Sequence, residues 1–403
     1  MRCEFINDAK DRLRTVQNFH DLAALLGLAA GHLSHVYRNR HAMQHRIRLN
    51  GRTVFRSDPS LRRIQQRIAL LLTPLFDGLP DTDCALAYRA GRRAVDSLRD
   101  LAGAHTLITL DVRRYYDNVT FPLLASCLES MGLHRLGARL VASYCVVHTG
   151  AGSGTLQQGS PASPVLSNIV GHHCLDVPIR AWLAGEHPEV ACDYVRYCDN
   201  LALFVRDAPP EGFTEAFKEQ VKGVFRASGL TAHKWNTVSR SHPSMNQRFL
   251  GVVLNAEARC ALDHVDRLRA ILFNWAARMN TRRVLRLFMD SLGVDAPYDL
   301  MDVENLWLEK FKKHMLGHIN YIRGVNIRQG RMLAKLFSVG ALFGDCELAD
   351  GAPGMPQTLL EGRAEIGPGV PPEFLSLVKR YRLHEESEEA YLEKIRHWLQ
   401  QAA

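Results

Sequence analysis

The sequence predicts an α+β fold, and three observations support this prediction. Helical hydrophobic periodicity covers most of residues 1–104, strand patterns follow between residues 106 and 205, and helical periodicity returns over residues 262–343. Strands grouped between runs of helices are typical of an α+β architecture. A chain of 403 residues favours two or three domains. Its 46% hydrophobic and 23% charged residues exclude a disordered, collagen-like or disulfide-stapled protein.

The first 104 residues contain two strong helical patterns with a hairpin between them. Residues 21–28 and 59–76 place apolar side chains at helical spacing. Between these segments, arginines alternate with apolar residues on both sides of Gly51, which predicts a basic β-hairpin. We therefore expect a mostly helical N-terminal region with one basic hairpin.

Two acidic residues follow predicted strands. Asp111 ends an apolar strand. Asp199 lies in a tight turn, residues 198–200, between strands at 194–197 and 201–205. If these strands are neighbours, both carboxylates lie at one sheet edge, an arrangement that suits Mg²⁺ ions in phosphoryl transfer. Asp-Asn is also a favoured turn sequence, so spacing alone leaves a metal site and a plain turn as alternatives.

The C-terminal part is predicted to be helical with one interruption. Residues 351–372 are rich in Gly and Pro, which predicts a loop or linker. A last helix is expected over residues 372–400, and its glutamates contrast with the basic stretches that precede it.

The chain is basic, and its positive charge is concentrated. It has 50 Lys+Arg against 42 Asp+Glu, a formal net charge of +8 and a pI near 9.1. Residues 38–56, 267–286 and 310–335 carry six, six and seven Lys or Arg and no acid. One such stretch is typical of a solvated helix face, whereas three together favour surfaces that bind nucleic acid.

Cysteine, histidine and hydropathy patterns bear on metals and membranes. The nine cysteines include no CxxC pair, which is typical of reduced thiols. His172-His173-Cys174 is interpreted as helix packing, because no second pair of zinc ligands accompanies it. The longest apolar run, residues 68–72, is far shorter than a membrane span of ~20 residues, and the N-terminus carries charges where a signal peptide is apolar. We expect a cytoplasmic protein with no membrane partner.

The most specific motif is Leu156-Gln157-Gln158-Gly159-Ser160-Pro161-Ala162-Ser163-Pro164. Further motifs lie at residues 59–65, 87–92, 110–116, 197–200, 249–251 and 316–322. In this order, the motifs resemble those of bacterial reverse transcriptases in the group II intron and retron lineage. The Cys in the turn motif and the short C-terminal extension are similar to the defence-associated reverse transcriptases, of which type 2 is one candidate.

The resemblance implies a right-hand polymerase with fingers, an antiparallel-sheet palm and a helical thumb. It implies RNA-directed DNA synthesis from dNTPs with two Mg²⁺ ions, in antiphage defence. The implied partners are a structured noncoding RNA, both bound and copied, and an RNA:DNA duplex. The expected regions are 1–104 (N-terminal extension and fingers), 105–255 (palm, with a fingers insertion at 120–165), 256–345 (thumb) and 346–403 (Gly/Pro-rich linker and C-terminal helix).

The resemblance also assigns catalytic and metal-binding residues by position. Asp111 and Asp199 would bind the Mg²⁺ ions. Asn200 stands where the family has a second aspartate, and the carbonyl of Val112 could add a further ligand. Tyr116 falls at the steric-gate position, where its ring would exclude a 2′-hydroxyl. The alternative is that Tyr116 is a plain core aromatic residue.

The remaining assignments concern the nucleotide and the nucleic acid. Gln158 would contact the incoming nucleotide, and Gly159 would let the backbone approach that nucleotide closely. Arg52 would hold the triphosphate. Lys234 or His233 would donate a proton to pyrophosphate, because Asn236 occupies the place of the family's lysine. The predicted nucleic-acid-binding residues are Arg62, Arg63, Arg92, Tyr197, Gly251, Lys310, Lys313, Arg323 and Arg328.

Asn200 departs from the Tyr-x-Asp-Asp pattern of the family. It keeps a carbonyl ligand but removes one negative charge from a site that binds two dications, so metal affinity and rate should fall. Either the lineage tolerates Asn here, or the chain carries an inactivating Asp-to-Asn substitution. Two other functions stay open: template-independent addition of deoxynucleotides, and a catalytically dead RNA-binding scaffold.

Overall fold

The computed structural model describes residues 11–49, 52–147, 154–156, 158–241, 245–278, 281–294 and 304–343. The chain divides into two units, the first made of Met1–Phe249 with Leu254–Glu257 and the second of Leu250–Val253 with Ala258–Ala403. Helices and antiparallel strands alternate in blocks along the described residues, so the α+β prediction is confirmed. The predicted linker at 351–372 and the last helix at 372–400 lie outside the described residues.

The first unit begins with helices and a basic hairpin. The helix predicted at residues 59–76 is confirmed, with a proline at its first position, where no amide hydrogen is needed. The predicted hairpin is confirmed as an antiparallel pair. In order, the elements are α1 (Phe19–Leu26), α2 (Ala30–Asn39), β1 (Gln44–Leu49), β2 (Arg52–Ser57), α3 (Pro59–Asp77) and α4 (Ala94–Asp100).

The middle of the first unit is mainly helical. Its elements are β3 (Thr106–Val112), α5 (Tyr115–Asn118), α6 (Phe121–Ser130), α7 (Arg135–Cys145), β4 (Val146–Val147), β5 (Thr155–Leu156), α8 (Ser163–Gly171), a π-helical turn (His172–Asp176) and α9 (Val177–Glu186). His172 is buried in the π-helical turn and lies edge-on to Phe76, at 6.1 Å between ring centroids.

The rest of the first unit completes the sheet. The strands β6 (Cys192–Tyr197) and β7 (Asn200–Val205), the helix α10 (Phe213–Ser228), and the strands β8 (Ala232–Ser239) and β9 (Arg248–Phe249) follow in that order. The central sheet has the strand order β6-β7-β3-β8, and all three pairings are antiparallel. Its apolar residues join the helices in a continuous core. The sheet therefore holds the ends of β3, β6 and β7 side by side.

The second unit is mostly helical, as predicted for residues 262–343. A short antiparallel pair, β10 (Val252–Val253) and β11 (Arg259–Cys260), precedes four helices. Trp275 is fully buried among them, with ring centroids 5.1 Å from Phe311 and 5.6 Å from Phe337. The helices are α11 (Leu262–Arg278), α12 (Thr281–Ser291), α13 (Glu304–Val325) and α14 (Ile327–Phe343). Within the described ranges, no helix combines the length and apolar character that a bilayer crossing needs.

Candidate active site

The register of the central sheet brings the acidic motif residues to one edge. Asp111 on β3 lies directly opposite Asn200 on β7. The amide of Val112 donates a hydrogen bond of 2.9 Å to the carbonyl oxygen of Asp199. Asp111 and the turn that carries Asp199 are therefore joined by main-chain bonds at the end of the sheet.

The turn between β6 and β7 is shorter than the sequence pattern indicates. Tyr197 pairs with Asn200, so the turn contains only Cys198 and Asp199, and Asn200 is the first residue of β7. The predicted three-residue turn is therefore wrong by one residue, because the sheet ladder extends to Asn200. Cys198 has a φ of 57°, in the left-handed region that non-glycine residues rarely adopt. Such strained residues persist only where their surroundings fix them.

Asn200 interacts with the neighbouring carboxylate. Its side-chain Nδ2 donates a hydrogen bond of 3.1 Å to Oδ1 of Asp199. An ionised aspartate at this position has no proton to donate. One carboxylate oxygen of Asp199 therefore accepts a hydrogen bond that an ionised Asp side chain at position 200 could not donate.

A register shift on β8 aims a histidine at Asp111. Lys234 lies opposite Asp111, but Val112 pairs with Ala232, so His233 is the extra residue of a bulge. Nδ1 of His233 lies 3.2 Å from Oδ2 of Asp111. The Asp111 side chain is 40% exposed and therefore accessible to solvent. Of the two proton-donor candidates, His233 contacts the carboxylate and Lys234 is exposed on the facing strand position.

Tyr116 lies in a small cluster of hydroxyl and thiol groups. Its hydroxyl oxygen is 3.3 Å from the hydroxyl of Tyr88, and the thiol of Cys198 donates to it at 3.4 Å. Desolvation raises the pKa of Tyr116 far above its ordinary range and raises the pKa of Tyr88 to about 12. Both phenols therefore stay neutral near pH 7. Tyr115, by contrast, is fully buried and donates to the carbonyl of Ser167 at 2.7 Å, as a core residue does.

Gly159 has a close main-chain neighbour within the protein. Gly159 has a φ of 110°, and a Cβ atom there would lie 2.2 Å from the carbonyl oxygen of Phe55. The amide of Phe55 donates to the carbonyl of Gln158 at 2.9 Å. The close backbone approach at Gly159 is therefore made by β2. Arg52 begins the same strand, and its side chain lies outside the described part of the chain.

The predicted nucleic-acid-binding residues fall into two groups. Arg62, Arg63 and Arg92 are exposed in the first unit, and the ring of Tyr197 lies 6.4 Å from that of Tyr88. The others are exposed in the second unit, where Nζ of Lys310 lies 4.1 Å from the ring centroid of Trp307. The second group consists of Gly251, Lys310, Lys313, Arg323 and Arg328.

Sequence reasoning missed a buried charge beneath the turn. Arg196 on β6 and Asp176 in the π-helical turn are both fully buried and form an ion pair of 2.8 Å. One Nη of Arg196 also donates to the carbonyl of Cys198 at 3.2 Å. A charged residue at a buried strand position requires a buried partner, because an unpaired buried charge is very costly. The pattern does not say which acid supplies that partner.

The chain is similar in sequence to known reverse transcriptases. The family described as "Reverse transcriptase (RNA-dependent DNA polymerase)" matches residues 52–254, which is half of the chain. The retron Mx162 reverse transcriptase of Myxococcus xanthus is 26% identical over 250 residues, or 55% of this chain and 50% of that protein. The retron Mx65 reverse transcriptase of the same organism is 25% identical over 297 residues, or 68% of this chain and 66% of that protein.

The chain thus spans between half and two thirds of the length of these two relatives. A solved structure of telomerase from Candida albicans with a fragment of telomeric RNA is 12% identical, with a TM-score of 0.41, and the match covers 70% of this chain and 55% of that one. With its family match across the whole central sheet and its similarity to bacterial retron enzymes, the chain belongs to the reverse transcriptase family.

Proposed function

We propose that the chain is an RNA-directed DNA polymerase that copies RNA into cDNA. The observation that carries this proposal is the register of β3, β7 and β8. It sets Asp111 opposite Asn200 on one side and Lys234 on the other, with Asp199 in the adjoining turn. Membership in the reverse transcriptase family supplies the reaction, which is nucleotidyl transfer from dNTPs to a primer end.

The donor atoms at this edge fit Mg²⁺, the ion that we propose as cofactor. Carboxylate, amide and main-chain oxygens are the ligands that this hard cation prefers. Asp111 and Asp199 would hold it, with the side-chain oxygen of Asn200 and the carbonyl of Val112 as further donors. When bound, two such ions supply activation of the primer 3′-hydroxyl and stabilisation of the leaving pyrophosphate.

The surrounding side chains would bind and orient the nucleotide. The half-buried ring of Tyr116 supports a role in excluding a 2′-hydroxyl, because Tyr88 and Cys198 hold its hydroxyl in place. Gln158 and Arg52 belong to adjoining segments and would contact the base and the triphosphate. Lys234 is exposed beside Asp111 and would neutralise or protonate the departing pyrophosphate.

The proposed partners are an RNA:DNA duplex and a structured noncoding RNA. The exposed basic residues of α13 and α14, Lys310, Lys313, Arg323 and Arg328, support duplex binding through the phosphate backbone. The similarity to retron enzymes supports a dedicated RNA that is both bound and copied. We extend this to a cytoplasmic antiphage role, on the resemblance of the turn motif to defence-associated enzymes.

Asn200 favours a second candidate function, a polymerase-like scaffold that binds RNA without synthesis. Its amide donates to Oδ1 of Asp199 and adds no negative charge. Both effects oppose the binding of two dications at the sheet edge. In this alternative the exposed basic residues still bind RNA, and the sheet edge with Asp111 and Asp199 does not catalyse synthesis.

Primer extension separates these functions. The chain and its Asn200→Asp variant are given an RNA template, a primer, dNTPs and Mg²⁺, and the products are sequenced. Templated cDNA from either protein supports the reverse transcriptase. Products unrelated to the template indicate template-independent addition. Tight RNA binding by both proteins, without any extension of any primer, supports the scaffold.

A further inference from the structure

A fully buried ion pair lies directly beneath the turn that carries Asp199. Arg196 and Asp176 have no exposed side-chain surface. Their two parallel hydrogen bonds, Nε to Oδ1 and Nη2 to Oδ2, are both 2.8 Å long. Burying two charges costs more than their attraction returns unless geometry and remaining hydrogen bonds are good. The remaining donors of the buried Arg196 therefore also need hydrogen-bond acceptors.

The guanidinium of Arg196 uses all five of its donors. Besides the two bonds to Asp176, it donates to Oδ1 and to the main-chain oxygen of Asn168, at 3.4 and 3.3 Å. The fifth bond, from Nη1, goes to the carbonyl oxygen of Cys198 at 3.2 Å. One side chain thus connects α8, the π-helical turn and the turn between β6 and β7.

The surrounding elements are shaped to keep this side chain in place. A Cβ atom at Gly171 would lie 2.3 Å from Cζ of Arg196, so only glycine leaves room for the guanidinium. The hydroxyl of Tyr194 donates to Oδ1 of Asp176 at 2.9 Å. Asp176 itself ends the π-helical turn, a local irregularity that is frequent at functional sites.

The bond to Cys198 acts on the strained part of the turn. Cys198 has a φ of 57°, and its carbonyl belongs to the peptide that leads into Asp199. The next main-chain bond, from the amide of Val112 to the carbonyl of Asp199, joins the turn to the strand end of Asp111. Arg196 therefore holds the Cys198–Asp199 peptide from below, and β3 holds the next peptide, Asp199–Asn200, from the side. Both peptides that flank Asp199 are fixed by hydrogen bonds.

We infer that Arg196, held by Asp176, is a positioning residue that fixes the Cys198–Asp199 peptide and thereby aims the Asp199 carboxylate. The effect on synthesis rests on the proposed function, whereas the effect on the turn does not. If the pair served stability alone, apolar side chains of similar volume would replace it without loosening the turn or slowing synthesis.

The test is the double variant Arg196→Met/Asp176→Leu, which removes both charges together. Its matched controls are the two single variants, which each leave one buried charge unpaired and should lose stability. The double variant should keep a higher Tm than either single variant, because it leaves no buried charge unpaired. Hydrogen exchange at the amide of Val112 should become at least ~10-fold faster, while exchange at Ile108 in the middle of β3 stays unchanged.

Synthesis provides the second readout, measured in an Asn200→Asp background. The double variant should lower kcat at least ~10-fold with a much smaller change in the KM for dNTP, because orientation of a catalytic group acts mainly on kcat. If the double variant fails to fold, Arg196→Lys replaces it, since lysine keeps the charge but cannot bond Asp176 and Cys198 together.

The outcomes separate this inference from the proposed function. A folded variant with unchanged exchange at Val112 and unchanged kcat overturns the inference and leaves a purely structural pair. Faster exchange at Val112 supports the role of Arg196 in the turn. If the parent chain and all variants also fail to extend a primer, even with Asn200→Asp, the proposed polymerase activity is overturned and the role in the turn is kept.

Discussion

Asn200 donates a hydrogen bond of 3.1 Å from its side-chain amide to Oδ1 of Asp199. Asn200 thus donates a hydrogen bond to an oxygen of Asp199, the proposed metal ligand, that would otherwise be available to bind a cation. Because Asn200 also lies opposite Asp111 in the sheet, a change of its charge acts on both carboxylates.

Asn200→Asp should increase Mg²⁺-dependent incorporation of dNTP. The substitution adds one negative charge and removes the amide donor, so the concentration of Mg²⁺ needed for half-maximal activity should fall. We expect a gain in kcat of at least ~10-fold, as for one electrostatic contact in a transition state. A Mg²⁺ titration of both proteins measures it, and equal activity at every Mg²⁺ concentration would contradict the expectation.

Tyr116 and Tyr88 should control discrimination against ribonucleotides. Tyr116→Ala removes the ring and should lower the preference for dNTP over rNTP at least ~10-fold. Tyr88→Phe removes only the hydroxyl that lies 3.3 Å from that of Tyr116, and should lower the preference by a smaller factor. The ratio of kcat/KM for paired dNTP and rNTP substrates measures this. Tyr116→Phe is the control, because it keeps the ring and loses only the hydroxyl contacts, so its preference should fall by a similarly small factor. A loss as large as that of Tyr116→Ala would show that the ring is not the barrier.

Gly159→Ala should destabilise the first unit by roughly 2 kcal/mol or more, because the new methyl group collides with main chain at a positive φ. The obstacle is the carbonyl oxygen of Phe55, 2.2 Å from the Cβ position. Gly223→Ala in α10 is the matched control, since no atom lies within 4 Å of its Cβ position. That variant should gain about 0.5–1 kcal/mol from helix propensity. Urea unfolding measures both, and equal stabilities would contradict the packing at Gly159.

His173 should make the protein less stable as the pH falls. Burial, with the nearby His172 as a second cause, lowers the pKa of His173 to about 4. The unfolded chain binds a proton at the ordinary histidine pKa of ~6.5, so acidification favours unfolding between ~6.5 and ~4. His173→Gln removes this linkage. Its Tm should therefore fall less steeply across that range than the Tm of the parent chain, whereas parallel curves would assign the acid sensitivity to other groups.

The strands and the long helices are predictable because their signals are local. The apolar run before Asp111, the helical spacing of residues 59–76 and the alternating arginines around Gly51 each report the burial of one face. The motif order identifies the two strand ends that carry Asp111 and Asp199. Their neighbouring positions in the sheet follow from the fold class.

The missed features depend on contacts between distant segments. Asp176 and Arg196 are 20 residues apart and meet only because the π-helical turn packs under β6. The bulge that aims His233 at Asp111 follows from a register shift that no periodicity reveals. The close neighbour of Gly159 is Phe55, more than a hundred residues earlier in the chain. Each of these is a consequence of tertiary packing, which sequence patterns do not encode locally.

Asp111→Ala, made in the Asn200→Asp background, tests the proposed polymerase most directly. Asp117→Ala is the matched control, because the Asp117 side chain is 41% exposed against 40% for Asp111, and it pairs with Arg114 on the surface. RNA-templated incorporation should fall at least ~1,000-fold in Asp111→Ala, the loss expected when several kcal/mol of metal-mediated stabilisation disappear. Asp117→Ala should retain near-parental incorporation. Undiminished incorporation by Asp111→Ala would contradict the assignment of this sheet edge as the catalytic site.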